Sequence, residues 1–180
     1  HLQTILDEVE NANIFIGEIL NFARPEKISL TRYSLPDLLD KVVRKYRLVA
    51  VEKGIDIELY QDPDIHPFYL DIIKLEEAFS NLVENAIESV ETGVDKRTIT
   101  VLVEQNNGYG IKVIITDTGP GFDEEVIDKI LDPYFTTKDE GTGLGLSISY
   151  RIFNAHGATM SLENTPAHHA KVTILFPVEG

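Results

Sequence analysis

The run Asn81-Leu82-Val83-Glu84-Asn85-Ala86-Ile87-Glu88-Ser89 sets Asn81, Asn85 and either Glu84 or Glu88 on one face if it is helical. Two amides and a carboxylate on the edge of such a helix offer oxygen ligands to a hard cation such as Mg²⁺, which keeps waters and also takes substrate phosphates. A solvated helix face with incidental asparagines is the plain alternative. A second group is Asp117-Thr118-Gly119-Pro120-Gly121-Phe122, directly after an apolar stretch. There a carboxylate at a strand end can accept a bond from an exocyclic amine, and the glycines let the backbone approach a flat ligand; an ordinary turn reads the same way. The third is Asp132-Pro133-Tyr134-Phe135-Thr136-Thr137-Lys138-Asp139-Glu140-Gly141-Thr142-Gly143-Leu144-Gly145-Leu146. Its glycines run into a helix that starts near Leu144, so free amides at a helix N-terminus can cradle phosphate oxygens, with Lys138 in reach of the same group.

Charge makes a specific demand on any such site. The 180 residues carry a formal net charge of −14, with 30 acidic against 16 basic side chains. That balance argues against a general nucleic-acid surface, since phosphate backbones are held chiefly by clustered Lys and Arg. A nucleotide would have to be held by local amides, a lysine and a divalent cation rather than by the field of the whole protein. The glycine-rich segment supplies that. With no cysteine there is no disulfide framework or thiolate chemistry, and no apolar run is long enough to span a bilayer, so no membrane contact by this chain and a cytoplasmic location are expected. The opening His1-Leu2-Gln3-Thr4 has no leader character and reads as a piece of something longer, for which a membrane anchor in the intact protein stays open.

The elements that must position these groups are legible in the hydrophobic pattern. Ile5, Val9, Ala12, Ile16, Ile19 and Ala23 alternate by fours and threes, the seam of a bundle helix ending at Arg24-Pro25. A short alternating stretch, Ile28 to Tyr33, precedes a helix from Ser34-Leu35-Pro36-Asp37 to about Glu52, closed by Gly54. Ile55, Ile57 and Leu59 read as a half-buried strand, Asp62-Pro63-Asp64 as a break, and Asp71 to about Val90 as a helix with Leu75, Ala78, Phe79, Leu82, Val83, Ala86 and Ile87 on its core side. Thr98–Glu104 and Ile111–Thr116 flank Asn106-Asn107-Gly108 as a hairpin. The Gly- and Thr-rich span from Asp117 to Leu146 is too long for an ordinary connection. A helix from about Leu144 to Ala155 and strands at Ser161-Leu162 and Lys171–Pro177 complete the chain. Strands and helices without regular βαβ alternation predict an α+β fold, a two-layer α/β sandwich with helices on one face of a mainly antiparallel sheet.

In this order and spacing, Asn-x-x-x-Asn-Ala, Asp-x-Gly-x-Gly-Phe, Tyr-Phe-Thr-Thr-Lys and Gly-Thr-Gly-Leu-Gly-Leu resemble the nucleotide-binding boxes of sensor histidine kinases. These belong to the gyrase, chaperone and kinase ATPase superfamily with its Bergerat-type fold, and the likeness spans Pro25 to Gly180. The short lid looks most like the nitrogen-regulation and sporulation branch. The resemblance implies ATP and Mg²⁺ as ligands: Asn85 as the metal ligand, Asn81 beside the phosphates, Asp117 on the adenine amine, and Gly119 and Gly121 shaping that pocket. Phe135, Lys138, Gly141, Thr142, Gly143, Leu144, Gly145 and Leu146 would form a lid over the triphosphate; its few apolar anchors and its glycines, which lose much entropy when ordered, predict that Thr136–Gly143 orders only on nucleotide. It also implies a response regulator as partner and a homodimer through a helical hairpin, of which residues 1–24 resemble a truncated second helix and 25–180 the catalytic domain. ATP-hydrolysing relatives generally carry a glutamate base where this chain has Asn81, and an amide cannot be a base. Histidine is already nucleophilic, so transfer to histidine is favoured over hydrolysis; a hydrolysing machine and a non-catalytic regulatory module are the alternatives. Glu84 is read as supporting rather than catalytic.

The chain departs from the family at three points. No acidic and Arg-x-Pro-Leu-like surroundings mark His1 as the accepting histidine, so the acceptor is expected upstream. His66, His168 and His169 read as loop residues and His156 as a helix-end residue. Glu88 stands where many relatives carry a basic residue, which puts one phosphate contact in question.

Overall fold

The computed structural model describes residues 26–91, 97–106, 110–137 and 142–177. The helix expected over residues 2–24, the hairpin residues Asn107 and Gly108, and two lid residues, Lys138 and Gly141, lie outside that set.

The local signals act as read. Ser34 Oγ accepts from Asp37 N at 3.2 Å and Pro36 sits in the first turn, so α1 (Leu35–Glu52) starts where the proline is tolerated. Its buried stripe includes Leu35, Leu38, Leu39, Val42, Val43 and Tyr46, and Gly54 turns the chain out at φ +67°. Strand β2 (Asp56–Gln61) follows, and α2 (Ile72–Val90) is capped by Asp71. Strands β4 (Thr98–Gln105) and β5 (Gly110–Asp117), helix α3 (Gly145–Ala155), and strands β6 (Thr159–Asn164) and β7 (Ala170–Pro177) complete a five-stranded sheet in the order β2-β4-β5-β7-β6. Every neighbouring pair is antiparallel except β2 and β4, which run parallel because β2 reaches β4 only through the crossover that contains α2.

Alternate strand residues make one buried face: Ile99, Val101 and Val103 on β4, Ile111, Val113 and Ile115 on β5, and Val172, Ile174 and Phe176 on β7. All seven core-side residues expected on α2 are buried. Phe79 of α2, Phe153 of α3 and Phe176 of β7 meet with ring centroids 5.1 to 6.4 Å apart, which locks the helix carrying the asparagines to the sheet and to the helix behind the lid. The predicted α+β two-layer sandwich is therefore the observed one. No described helix is long and apolar enough to cross a membrane. One element escaped the sequence reading: Phe68–Leu70, strand β3, pairs with β1 (Thr31–Tyr33) as a separate two-stranded ribbon. Three residues after a proline are too few to show a period.

The junction of the layers is a polar node at Asp71, 7% exposed. Its Oδ2 accepts from Ser29 N at 2.6 Å, its Oδ1 from Lys74 N at 3.0 Å, and its own amide donates to His156 Nε2 at 2.9 Å. His156 Nδ1 lies 2.7 Å from Ile152 O, and a carbonyl only accepts, so Nδ1 carries the hydrogen and Nε2 the lone pair. The helix-end histidine thus fastens α3 to the cap of α2. Burial works against the Asp71 charge, but the amides of Ser29, Lys74 and Ile73 outweigh it and hold the carboxyl below the usual carboxylate range. A depressed folded value contributes stability that is present above the unfolded value and is lost as pH falls through the folded one. Asp71→Ala is expected to cost about 1–3 kcal/mol at neutral pH. Urea unfolding should show that gap closing below about pH 4; a gap unchanged from neutral to acid pH would mean the carboxylate is not the stabilising group.

Candidate nucleotide-binding site

Between α2 and the loop that follows β5 lies a cavity of about 1040 Å³. Asn81, Glu84, Asn85, Glu88 and Ser89 present one edge of α2 to it, while Leu82 and Ala86 with Ile115, Ala170 and Val172 give it an apolar floor. Both carboxylates offered as alternatives on the α2 face therefore reach the cavity wall.

Asp117 ends β5 at the cavity floor, 6% exposed. Its Oδ1 accepts from Gly119 N at 2.8 Å and from Ser89 Oγ at 3.1 Å. Burial pushes the carboxyl above the usual range, partly offset by those two donors and by nearby His169. Gly119 does not line the cavity; it buttresses Asp117, since a Cβ there would lie 2.7 Å from Asp117 Oδ1 and collide with Ser89 Oγ. Gly121 does line it, at φ +80°, where a side chain would strike Asn164 Oδ1 at 2.7 Å. The two glycines have different tasks: one packs against the carboxylate, the other turns the backbone along the cavity.

The lid segment closes the opposite side. Phe135, Thr136, Thr137, Thr142, Gly143, Gly145 and Leu146 line the cavity, and Val126 and Ile130 add apolar wall from the short 3₁₀ turn Ile127–Lys129 and its flanks. Leu144 does not; its side chain is buried. Tyr134 holds φ +65°, a conformation bulky residues rarely take, and its amide donates to Gly143 O at 3.0 Å, with Gly143 itself at φ +68°. The two ends of the glycine loop are fastened to each other. No side chain caps α3, whose first residues Gly145 and Leu146 face the cavity, so the positive end of the helix dipole lies at the site.

Asn81 Nδ2 reaches Gly145 O at 3.4 Å and Ser149 Oγ at 3.5 Å, linking the α2 edge to the start of α3. Glu84 accepts a hydrogen bond from Tyr46, whose phenol burial and Glu84 hold above its usual value, so the tyrosine stays a donor and occupies the carboxylate. No group of three or more acidic or histidine side chains that could hold a metal by themselves occurs among the described residues. A cation here would need ligand phosphates and waters beside Asn85, which is how Mg²⁺ is commonly held. The donor set fits.

Sequence reasoning left out Ser89, Asn164 and His169, all within hydrogen-bond reach of the Asp117 to Phe122 loop. Only Ser89 had a usable signal, since it lies one helical turn from Asn85 on the same edge.

Residues 70–180 match the family model described as histidine kinase-, DNA gyrase B- and HSP90-like ATPase. The signal transduction histidine-protein kinase AtoS of Escherichia coli (strain K12) is 29% identical over 178 residues, 99% of this chain and 29% of that protein. The sensor histidine kinase ZraS of Klebsiella oxytoca is 31% identical over 177 residues, 96% of this chain and 37% of that protein. The chain thus spans well under half the length of these curated relatives. Among solved structures, a nucleotide-free catalytic domain of the histidine kinase ThkA superposes with a TM-score of 0.74 at 28% identity, over 83% of this chain and 96% of that one. Full-length ShkA in complex with AMPPNP shares the fold, with a TM-score of 0.77 at 22% identity, over 97% of this chain and 38% of that one. The matched residues are more than half of the chain, so the protein belongs to the histidine kinase-, DNA gyrase B- and HSP90-like ATPase family, with a catalytic ATP-binding domain of the histidine kinase kind.

Proposed function

We propose that this domain binds Mg-ATP for a two-component sensor histidine kinase and delivers its γ-phosphoryl to a histidine that is not one of this chain's own, for relay to a response regulator. The observation that carries the reading is the buried Asp117 carboxylate at one end of a cavity whose other walls are Asn81 and Asn85 and the uncapped start of α3. Asp117 accepts from the adenine amine. Asn85 holds the cation, Asn81 flanks the phosphates, and the amides at Gly143–Leu146 take the phosphate oxygens, with Lys138 and Gly141 as further lid groups. Mg²⁺ supplies charge neutralisation at the phosphates.

Hydrolysis is disfavoured because Asn81 stands where hydrolysing relatives carry a glutamate base. Asn81 cannot accept a proton from water, and Glu84 is engaged by Tyr46. An imidazole acceptor needs no such base. A solved histidine kinase, ThkA, is described in complex with the response regulator protein TrrA, at 25% identity and a TM-score of 0.75 over 97% of this chain and 49% of that one, which supports a response regulator as partner here. In this reading residues 1–24 are the second helix of a dimerisation and phosphotransfer hairpin, residues 25–180 the catalytic domain, the intact protein a homodimer, and the domain cytoplasmic.

Isothermal titration with ADP and a non-hydrolysable ATP analogue, with and without Mg²⁺, tests the site. Magnesium-dependent binding is expected, together with no acid-labile label after incubation with γ-labelled ATP. Absence of binding would end the nucleotide reading; label on one of the chain's own histidines would overturn an acceptor located elsewhere.

A further inference from the structure

The β6–β7 connection grips the loop after Asp117 at both ends. Asn164 Oδ1 accepts from Phe122 N at 2.7 Å, and Asn164 Nδ2 donates to Phe122 O at 2.8 Å, a two-bond clasp. At the other end His169 Nδ1 lies 3.1 Å from Gly119 O. That carbonyl can only accept, so Nδ1 carries the hydrogen. The ring is aimed by a tight turn: His168 N donates to Thr165 O and Thr165 N to His169 O, each at 2.8 Å, and His169 N donates to Thr165 Oγ1 at 3.1 Å.

Gly119 is therefore held from two sides, its carbonyl by His169 and its amide by Asp117 Oδ1. Ser89 Oγ is bonded to the same Oδ1, so both described bonds fall on one oxygen and Oδ2 is left to meet a ligand. The amide belongs to the peptide unit before Gly119 and the carbonyl to the one after it, so loss of the His169 bond frees the glycine torsions between them and lets the amide, and the Asp117 oxygen it holds, shift.

We infer that His169 is a positioning residue for base recognition: its Nδ1–H fixes Gly119, and through Gly119 the Asp117 oxygen that tells an exocyclic amine from a carbonyl on a purine. This deepens the reading of Asp117 as the adenine acceptor and rests on it.

The test compares ADP with inosine diphosphate, which carries a carbonyl where ADP has the amine. Wild type should prefer ADP. His169→Ala should lower ADP affinity by roughly five- to thirty-fold, the effect of one lost or misaligned hydrogen bond, and leave inosine diphosphate affinity unchanged. His169→Asn, whose amide N–H can replace Nδ1–H, should restore most of the preference. Equal loss for both nucleotides in His169→Ala would assign the residue to general folding and overturn the inference, as would an unchanged ADP preference. A wild type that does not distinguish the two nucleotides would instead remove the adenine assignment of Asp117, and the positioning role with it.

Discussion

Asp117→Asn is expected to invert the base preference of the site while leaving the ligand-free fold at least as stable. The held Oδ1 can remain an acceptor for Gly119 N and Ser89 Oγ, so the asparagine amide takes the Oδ2 position. There it opposes the adenine amine donor to donor and suits a purine carbonyl. A lost bond of this type, about 1–3 kcal/mol, is roughly a five- to 150-fold loss of ADP affinity. Stability moves the other way. Burial raises the folded-state carboxyl, so the proton is held more tightly in the folded than in the unfolded chain, and wild type loses stability as pH rises through that folded value. An asparagine has no charge to bury. In a thermal-shift titration near neutral pH the ligand-free variant should melt no lower than wild type, and the shift induced by ADP should all but vanish. An undiminished ADP shift would leave the carboxylate without a role in base recognition.

Gly143→Ala should separate triphosphate from diphosphate binding. The glycine holds φ +68°, where an L side chain costs about 1–2 kcal/mol, and a Cβ there would come within 2.5 Å of Tyr134 C and 2.7 Å of Phe135 O. Those are backbone atoms on the far limb of the lid, so no flexible side chain can give way. The Tyr134 N to Gly143 O bond would have to break or the start of α3 would have to shift. The amides there serve the outer phosphates, and a nucleotide still anchored through Asp117 would keep its base contacts. A non-hydrolysable ATP analogue should lose roughly ten-fold or more, the equivalent of one charge-assisted hydrogen bond, and ADP distinctly less. Hydrogen exchange over Thr136–Gly145 should show less analogue-induced protection in the variant. Equal losses for the two nucleotides would place the glycine loop away from the γ-phosphate.

The elements and the core were legible because each was specified locally. The Ser34 cap with Pro36, the period of Leu75 to Ile87, and the alternation in β4, β5 and β7 each name a face without knowledge of the partner. The α2 edge with Asn81 and Asn85 and the carboxylate at the end of β5 followed from the same periods, since a residue's face and its place in the element are set by spacing alone. What the sequence could not determine were contacts made across dozens of residues. His156 looked like a helix-end residue, yet it bridges Ile152 O to the amide of Asp71, 85 positions away. His169 looked incidental, and it lies on Gly119 from 50 positions away. Leu144 stood inside the glycine motif, yet its side chain is buried and does not line the cavity that its neighbours Gly143, Gly145 and Leu146 face. Local chemistry decides which way a side chain faces along its own element. Only the packing of α2, α3 and β7 around Phe79, Phe153 and Phe176 decides which distant backbone group it meets.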